Sequence, residues 1–292
     1  MNERAADYFH PAVTFFYSIV LAVMAMLFFN PVFIVLGFAF AALQYLIMCG
    51  GRRLAKQLLW SVPLSAVIAV FNPIVNHGGK TLLFYLFGNP VTLEATLYGV
   101  CSGGMLLTVF LWFGVYNRLV TPDRFMYLFS RLAPAASMLV TMTQRMVPMF
   151  SRRFFLISAV QKTLPQKSSG GRLKSRFTSG LKEISILLSW SMEEGLDTAD
   201  SMKARGYGCA KRSAFSVYRF TRRDGAAFAV EATVAAVCIA GYYSSVVISF
   251  YPRIGMSFGA GGIVAAAAYI VLAGALPVSE ANWSLMWRLR RA

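Results

Sequence analysis

Residues 11–49 read PAVTFFYSIVLAVMAMLFFNPVFIVLGFAFAALQYLIMC and contain no Asp, Glu, Lys or Arg. Two apolar runs, 11–29 and 32–49, each approach the roughly 20 residues that a helix needs to cross a bilayer. Asn30-Pro31 between them reads as a tight turn, because proline has no N–H to continue a helix and Asn favours turns. The stretch therefore predicts a membrane-embedded helical hairpin. The whole composition agrees: 57% of residues are hydrophobic and 14% charged, where a soluble domain carries about a quarter charged. Residues 1–10 hold Glu3 and Asp7 beside Arg4, and no small-x-small cleavage site follows the apolar run. This start reads as a retained anchor, not a cleaved signal peptide.

Further along, Gly50-Gly51-Arg52-Arg53 ends the second crossing and a third covers 57–75, broken by Pro63 and Pro73. The polar loop 76–80 follows. Residues 81–87 are too short to span and read as interfacial or re-entrant. A fourth crossing covers 91–116, and after a long polar region come 225–250 and 258–278, separated by Tyr251-Pro252-Arg253. The expected fold class is an all-α polytopic membrane protein with about six transmembrane helices and long cytoplasmic helices between them. Its parts are N-terminal crossings (1–116), a cytoplasmic helical region (117–224), and C-terminal crossings with a basic tail (225–292).

An even number of crossings puts both termini on one side. Lys and Arg resist translocation and collect in cytoplasmic loops. With both ends inside, only Lys80 and Arg253 of the 28 Lys and Arg fall outside, while nineteen lie between Arg118 and Arg223. Both termini are thus expected in the cytoplasm. The same bias accounts for the net charge of +16 with no nucleic-acid partner.

Cys49, Cys101, Cys209 and Cys238 show no metal-ligand spacing, and His10 and His77 are the only histidines. No zinc, haem or other cofactor is expected. A Walker A glycine loop is also missing, so ATP hydrolysis would have to come from another subunit. Glu94 and Glu231, the acidic residues nearest the bilayer, read as interfacial.

Residues 117–224 lack strand-like alternation and read as two long helices around a flexible QKSSGG linker at 166–171. The first covers about 134–163, with Met138, Met142, Met146, Met149, Phe150, Ile157 and Val160 spaced mostly by three and four and a kink at Pro148. The second covers about 179–205. Leu181, Ile184, Leu188, Met192, Leu196, Ala199 and Met202 form its packing seam, opposite Lys182, Ser189, Glu193, Asp197 and Asp200. Gly206 fits a left-handed residue just past that helix, and Lys203 and Arg205 complement the negative end of its dipole. A guanidinium at a helix tip also suits an acidic groove on a partner, since Arg offers a rigid five-donor fork.

Ser201-Met202-Lys203-Ala204-Arg205-Gly206-Tyr207 resembles the Ala-Met-x-Ala-Arg-Gly-Tyr signature of the transmembrane T component of energy-coupling factor (ECF) importers, the EcfT/CbiQ family, with Ser for the first Ala. Thr121-Pro122-Asp123 is similar to the family's Thr-x-Pro, Gln144-Arg145-Met146-Val147-Pro148 to its Arg-Phe-Ile-Pro, and Ala159-Val160-Gln161-Lys162 to its Ala-Gln-x. The resemblance covers roughly residues 99–224. It implies a non-catalytic subunit whose cytoplasmic helices dock arginine tips into two ABC ATPase subunits, while the membrane part grips one substrate-binding S component. Membrane lipid is the remaining partner. On this reading Met202, Lys203, Ala204, Arg205 and Gly206 couple to an ATPase, and the complex imports a vitamin or a transition-metal ion. A second Ala-Arg-Gly is expected after Ala-Gln-x, but Thr163-Leu164-Pro165 stands there. Either Lys162, Arg152 or Arg153 replaces that arginine, or the two ATPases are coupled unequally.

Two other classes compete. Asp197-Thr198-Ala199-Asp200-Ser201-Met202-Lys203-Ala204-Arg205 resembles the opening of the CDP-alcohol phosphotransferase motif, a metal-dependent membrane enzyme. The glycine and the downstream aspartates are replaced, by Ser201, Ala214, Tyr218 and Arg222, which leaves too few carboxylates for a two-metal site. A structural membrane scaffold is the other.

Overall fold

The computed structural model describes residues 9–76, 81–86, 89–130, 133–163, 172–209, 218–249 and 255–291. Helix α1 spans Pro11–Leu27 and α2 spans Pro31–Cys49. Each opens with proline in its first turn behind a side-chain cap: His10 Nδ1 accepts from the Ala12 N–H at 3.2 Å, and Asn30 Oδ1 from the Val32 N–H at 2.9 Å. The Asn-Pro pair thus stops one helix and starts the next.

Gly50, at φ +82°, ends α2, and α3 (Gly51–Val75) starts at the next residue. The predicted third crossing therefore begins earlier than residue 57, and Arg52, Arg53 and Lys56 lie in its first turns. Pro63 and Pro73 do not break it. Each removes one N–H from the ladder, and in an apolar setting a continuous helix keeps all other backbone groups bonded.

The short apolar segment that begins at residue 81 holds a strand. Strand β1 (Leu82–Leu86) pairs antiparallel with β2 (Asn89–Thr92), in the register Leu82↔Thr92 and Leu86↔Asn89. Helix α4 (Leu93–Leu119) begins under this hairpin, with Thr92 Oγ1 accepting from the Ala95 N–H. Glu94 is 3% exposed and accepts from the Thr81 hydroxyl at 2.6 Å and from the Thr81 N–H. Glu94 thus anchors the start of the hairpin.

Helix α4 supplies much of the core, with Trp112, Leu111 and Val115 fully buried. It meets α3 through glycines. A Cβ at Gly103 would sit 2.8 Å from the Ser65 carbonyl oxygen, and one at Gly99 would sit 2.5 Å from that of Ala69. Small residues let membrane helices approach backbone to backbone, and Asn72 Nδ2 donates to Ser102 Oγ across the same seam.

A short helix, α5 (Pro122–Ser130), follows; the sequence reading missed it. Two compact units emerge, one comprising Met1–Phe125 with Tyr218–Ala292, the other Met126–Val217. The second contains α6 (Pro134–Thr163) and α7 (Arg172–Ala204), about 45 and 50 Å long at 1.5 Å per residue. Helix α6 keeps its predicted bounds and runs through Pro148. Helix α7 starts earlier than residue 179, and the predicted 166–171 linker lies outside the described residues.

Helix α8 (Arg222–Ser245) opens with a reciprocal capping box between Thr221 and Asp224. The second Asp224 oxygen accepts from the His10 N–H at 3.0 Å, and the His10 ring meets Phe220 edge-on, which ties the starts of α1 and α8 together. Strands β3 (Val246–Ser249) and β4 (Gly255–Phe258) form a second hairpin, and α9 (Ala260–Arg291) closes the chain. The turn at 251–254 lies outside the described residues.

Among the described residues five helices are long and apolar enough to cross a membrane: α2, α3, α4, α8 and the Ala260–Glu280 part of α9. Helix α1, at 17 residues, is apolar but shorter than these five.

Candidate functional site at the end of α7

The last turn of α7 is closed by a complete Schellman motif. Gly206 sits at φ +77° and donates to the Lys203 carbonyl at 2.9 Å, while the Tyr207 N–H donates to the Met202 carbonyl at 3.0 Å. These two bonds satisfy carbonyls that a helix end leaves open. The left-handed φ is where a side chain costs roughly 1–2 kcal/mol, so glycine belongs at this position. Gly208, at φ +92°, repeats the device two residues on.

This cap fixes how the flanking side chains are presented. Met202 is half-buried, while Lys203, Ala204, Arg205 and Gly206 are exposed. Lys203 Nζ lies 3.6 Å from Asp200 Oδ1, in an ion pair whose partners are 77% and 78% exposed. Such a pair contributes little to stability. The Arg205 guanidinium has no partner among the described residues, so its five donors are available.

The three residues weighed as a second tip occupy different places. Only Lys162 lies in the last turn of α6. Arg152 and Arg153 lie well inside the helix, and the Arg153 guanidinium sits 4.0 Å above the Trp190 ring. This contact joins α6 to α7, and Arg153 itself stays exposed. Leu164 lies outside the described residues.

Trp190, which the sequence reading passed over, is the centre of the α6–α7 contact. It also meets Phe150 edge-on, with ring centroids 5.7 Å apart. Its position sets the rotation of α7 and overturns the predicted seam. Leu181, Ile184, Leu188, Met192 and Leu196 are 51–68% exposed, whereas Glu183, Leu187, Trp190, Glu194 and Thr198 are half-buried. On α6 the predicted face holds better: Met138, Met142, Met146, Met149, Phe150 and Ile157 are half-buried, and only Val160 turns outward. Periodicity shows which residues share a face, but not whether that face is covered. The outward stripe of α7 runs toward the Arg205 end, and with it the helix offers an apolar shaft and a cationic tip.

Asp197 and Asp200, the carboxylates of the phosphotransferase-like motif, are both exposed on α7. Among the described residues no three His, Cys, Asp or Glu side chains cluster as metal ligands.

The chain is thus an all-α polytopic membrane protein that carries a separate two-helix unit with an uncovered apolar face. No protein-family model matches it, and no curated protein does.

Proposed function

We propose that this chain is the transmembrane coupling subunit of an ECF-type importer. Two ABC ATPases bind its α6–α7 unit in the cytoplasm, and the membrane part holds an S component that captures a vitamin or a transition-metal ion. The observation that carries this reading is the pairing, on α7, of an exposed apolar stripe with a capped Arg205 that has no partner among the described residues. An exposed apolar row of this length marks a contact surface, and a guanidinium locked at its end supplies a directional anchor. Transmission requires that the ATP and ADP states of the ATPases bind the unit in different geometries, because equal affinity for both would shift nothing. On this reading both termini and the α6–α7 unit lie in the cytoplasm, which the positive-inside bias supports, and the membrane is the prokaryotic inner membrane. The chain itself binds no nucleotide and performs no chemistry.

Affinity purification of the full chain from its native membrane tests the proposal. Two ABC ATPase subunits and one small membrane protein should elute with it, and ATP should release or rearrange them. Elution of the chain alone, under conditions that preserve membrane complexes, refutes it.

A further inference from the structure

A cavity of about 300 Å³ opens between α1, α8 and α9. Its wall is mostly alkyl, with Val230 and Leu276 among the lining side chains, and its polar groups are Thr14, Tyr17, Glu231 and Ser279. Glu231 lies nine residues past the start of α8, about 14 Å along the helix axis. One of its carboxylate oxygens, Oε2, is shielded from solvent and has no hydrogen-bond partner.

The hydroxyls around it have already committed their hydrogens. Thr14 donates to the Pro11 carbonyl at 3.2 Å and Ser279 to that of Leu276 at 2.9 Å. The Tyr17 hydroxyl lies 3.2 Å from the Ala273 carbonyl and 3.3 Å from Gln44 Oε1. Each hydroxyl is left with acceptor capacity only. None of the described residues that line the cavity is Lys, Arg or His. The site therefore presents acceptors and one carboxylate, with no donor to answer them.

We propose that this cavity binds a small organic cation, a primary or secondary ammonium with an apolar body, through Glu231. A carboxylate withdrawn from water is costly unless it takes up a proton or a hydrogen-bonding cation meets it, and an alkaline medium favours the second. An ammonium carries two or three N–H donors, which match Glu231 and the neighbouring hydroxyl oxygens, while its alkyl part fits the Val230 and Leu276 wall. A bare metal cation fits poorly, since Na⁺ and Ca²⁺ call for several converging oxygens and this wall is mainly carbon. The inference is independent of the coupling role proposed above.

The test uses the full chain in detergent at pH 8, with n-hexylammonium as probe, 1-hexanol as its neutral counterpart and sodium chloride to hold ionic strength. Calorimetric titration should show saturable hexylammonium binding at least about tenfold tighter than hexanol binding, the contribution of one charge-assisted hydrogen bond. Glu231→Gln should lose at least that factor. Should Glu231→Gln fail to fold, Ala227→Leu narrows the same cavity with the carboxylate in place and should weaken binding to a similar degree. Repeating the titration in nanodiscs identifies the natural source. Weaker probe binding in phosphatidylethanolamine than in phosphatidylcholine, whose head has no N–H, supports a lipid headgroup; equal binding supports a free amine. Hexanol binding as tightly as hexylammonium overturns the proposal, as does wild-type affinity in Glu231→Gln, or in Ala227→Leu where that variant is the one that folds.

Discussion

Arg205→Glu is the most discriminating single change in the α6–α7 unit. Within the chain Arg205 is exposed at the end of α7, and it faces no carboxylate among the described residues. Its internal contribution reduces to the attraction between a cation and the negative end of the helix dipole, about 0.3–1 kcal/mol. Arg205→Ala should therefore leave expression and thermal stability almost unchanged. The Schellman cap should survive too, since its bonds are made by the backbones of Met202, Lys203, Gly206 and Tyr207. Against a partner the magnitude differs. A guanidinium desolvated in an acidic groove costs about 2–5 kcal/mol when truncated, a loss of roughly thirty-fold or more in affinity. Arg205→Lys should fall between, because it keeps the charge and loses the fork. Arg205→Glu should be the worst, adding repulsion from the groove. The assay is retention of ATPase subunits on the purified chain, with uptake measured in parallel and melting temperature as the folding control. Wild-type retention and uptake for Arg205→Glu would reduce Arg205 to a helix-end charge and remove the anchor from the proposed mechanism.

The outward stripe makes a second prediction: Leu188→Gln and Met192→Gln, at side chains 60% and 67% exposed, should shift stability by no more than about 0.5 kcal/mol yet weaken ATPase retention, and a lower melting temperature with normal retention would show the stripe to be internal core. Gly103→Val should do the opposite, destabilising the detergent-solubilised chain by about 1–3 kcal/mol because its Cβ meets the Ser65 carbonyl oxygen; an unchanged melting temperature would contradict the close α3–α4 approach. For topology, single cysteines at Lys80 and Ser168 in a chain stripped of native cysteines should label from opposite sides with a membrane-impermeant thiol reagent, and labelling of Ser168→Cys from outside would invert the orientation.

Local chemistry made some features legible in the sequence and tertiary context hid others. Asn30-Pro31 and Gly206 could be read because their roles depend on a proline ring, an amide side chain and a missing Cβ, all acting within a few residues. Helix α6 was legible from its apolar period. The β1–β2 hairpin was not, since a short apolar run pairs as a strand only when a second run lies opposite, and Glu94 fastens it from beyond both strands. Pro63 and Pro73 misled for a related reason: their helix-breaking cost is set by water as the competing solvent, and a membrane removes that competitor. The rotation of α7 was illegible because it hangs on Trp190, a residue off the predicted stripe. The unpaired Glu231 oxygen depends on three helices far apart in sequence. For the proposed site, then, the cap and the tip were readable, whereas the face presented beside them was not.

Trp190 also yields the last prediction, one that separates binding from transmission. It lies fifteen residues before Arg205 on α7, about 22 Å along the axis, and joins α7 to α6 through Phe150 and Arg153. A displacement imposed at Arg205 reaches α6 only if the two helices move as one body. The edge-to-face ring pair contributes about 0.5–1.5 kcal/mol and the cation–π contact about 0.5–1 kcal/mol. Trp190→Ala should therefore loosen the helix pair by about 1–2.5 kcal/mol without unfolding either helix, while the cap and the Arg205 tip remain intact. ATPase subunits should still co-purify with the variant, and the complex should still hydrolyse ATP. Uptake should fall, because hydrolysis would now move α7 against α6 and no longer move the pair. Arg205→Glu, by contrast, should lose association and uptake together. Trp190→Phe keeps a ring for both neighbours and should recover most of the uptake. If Trp190→Ala imports at the wild-type rate with its ATPases bound, the α6–α7 clamp carries no force, and motion must leave the ATPases by contacts that do not involve α6.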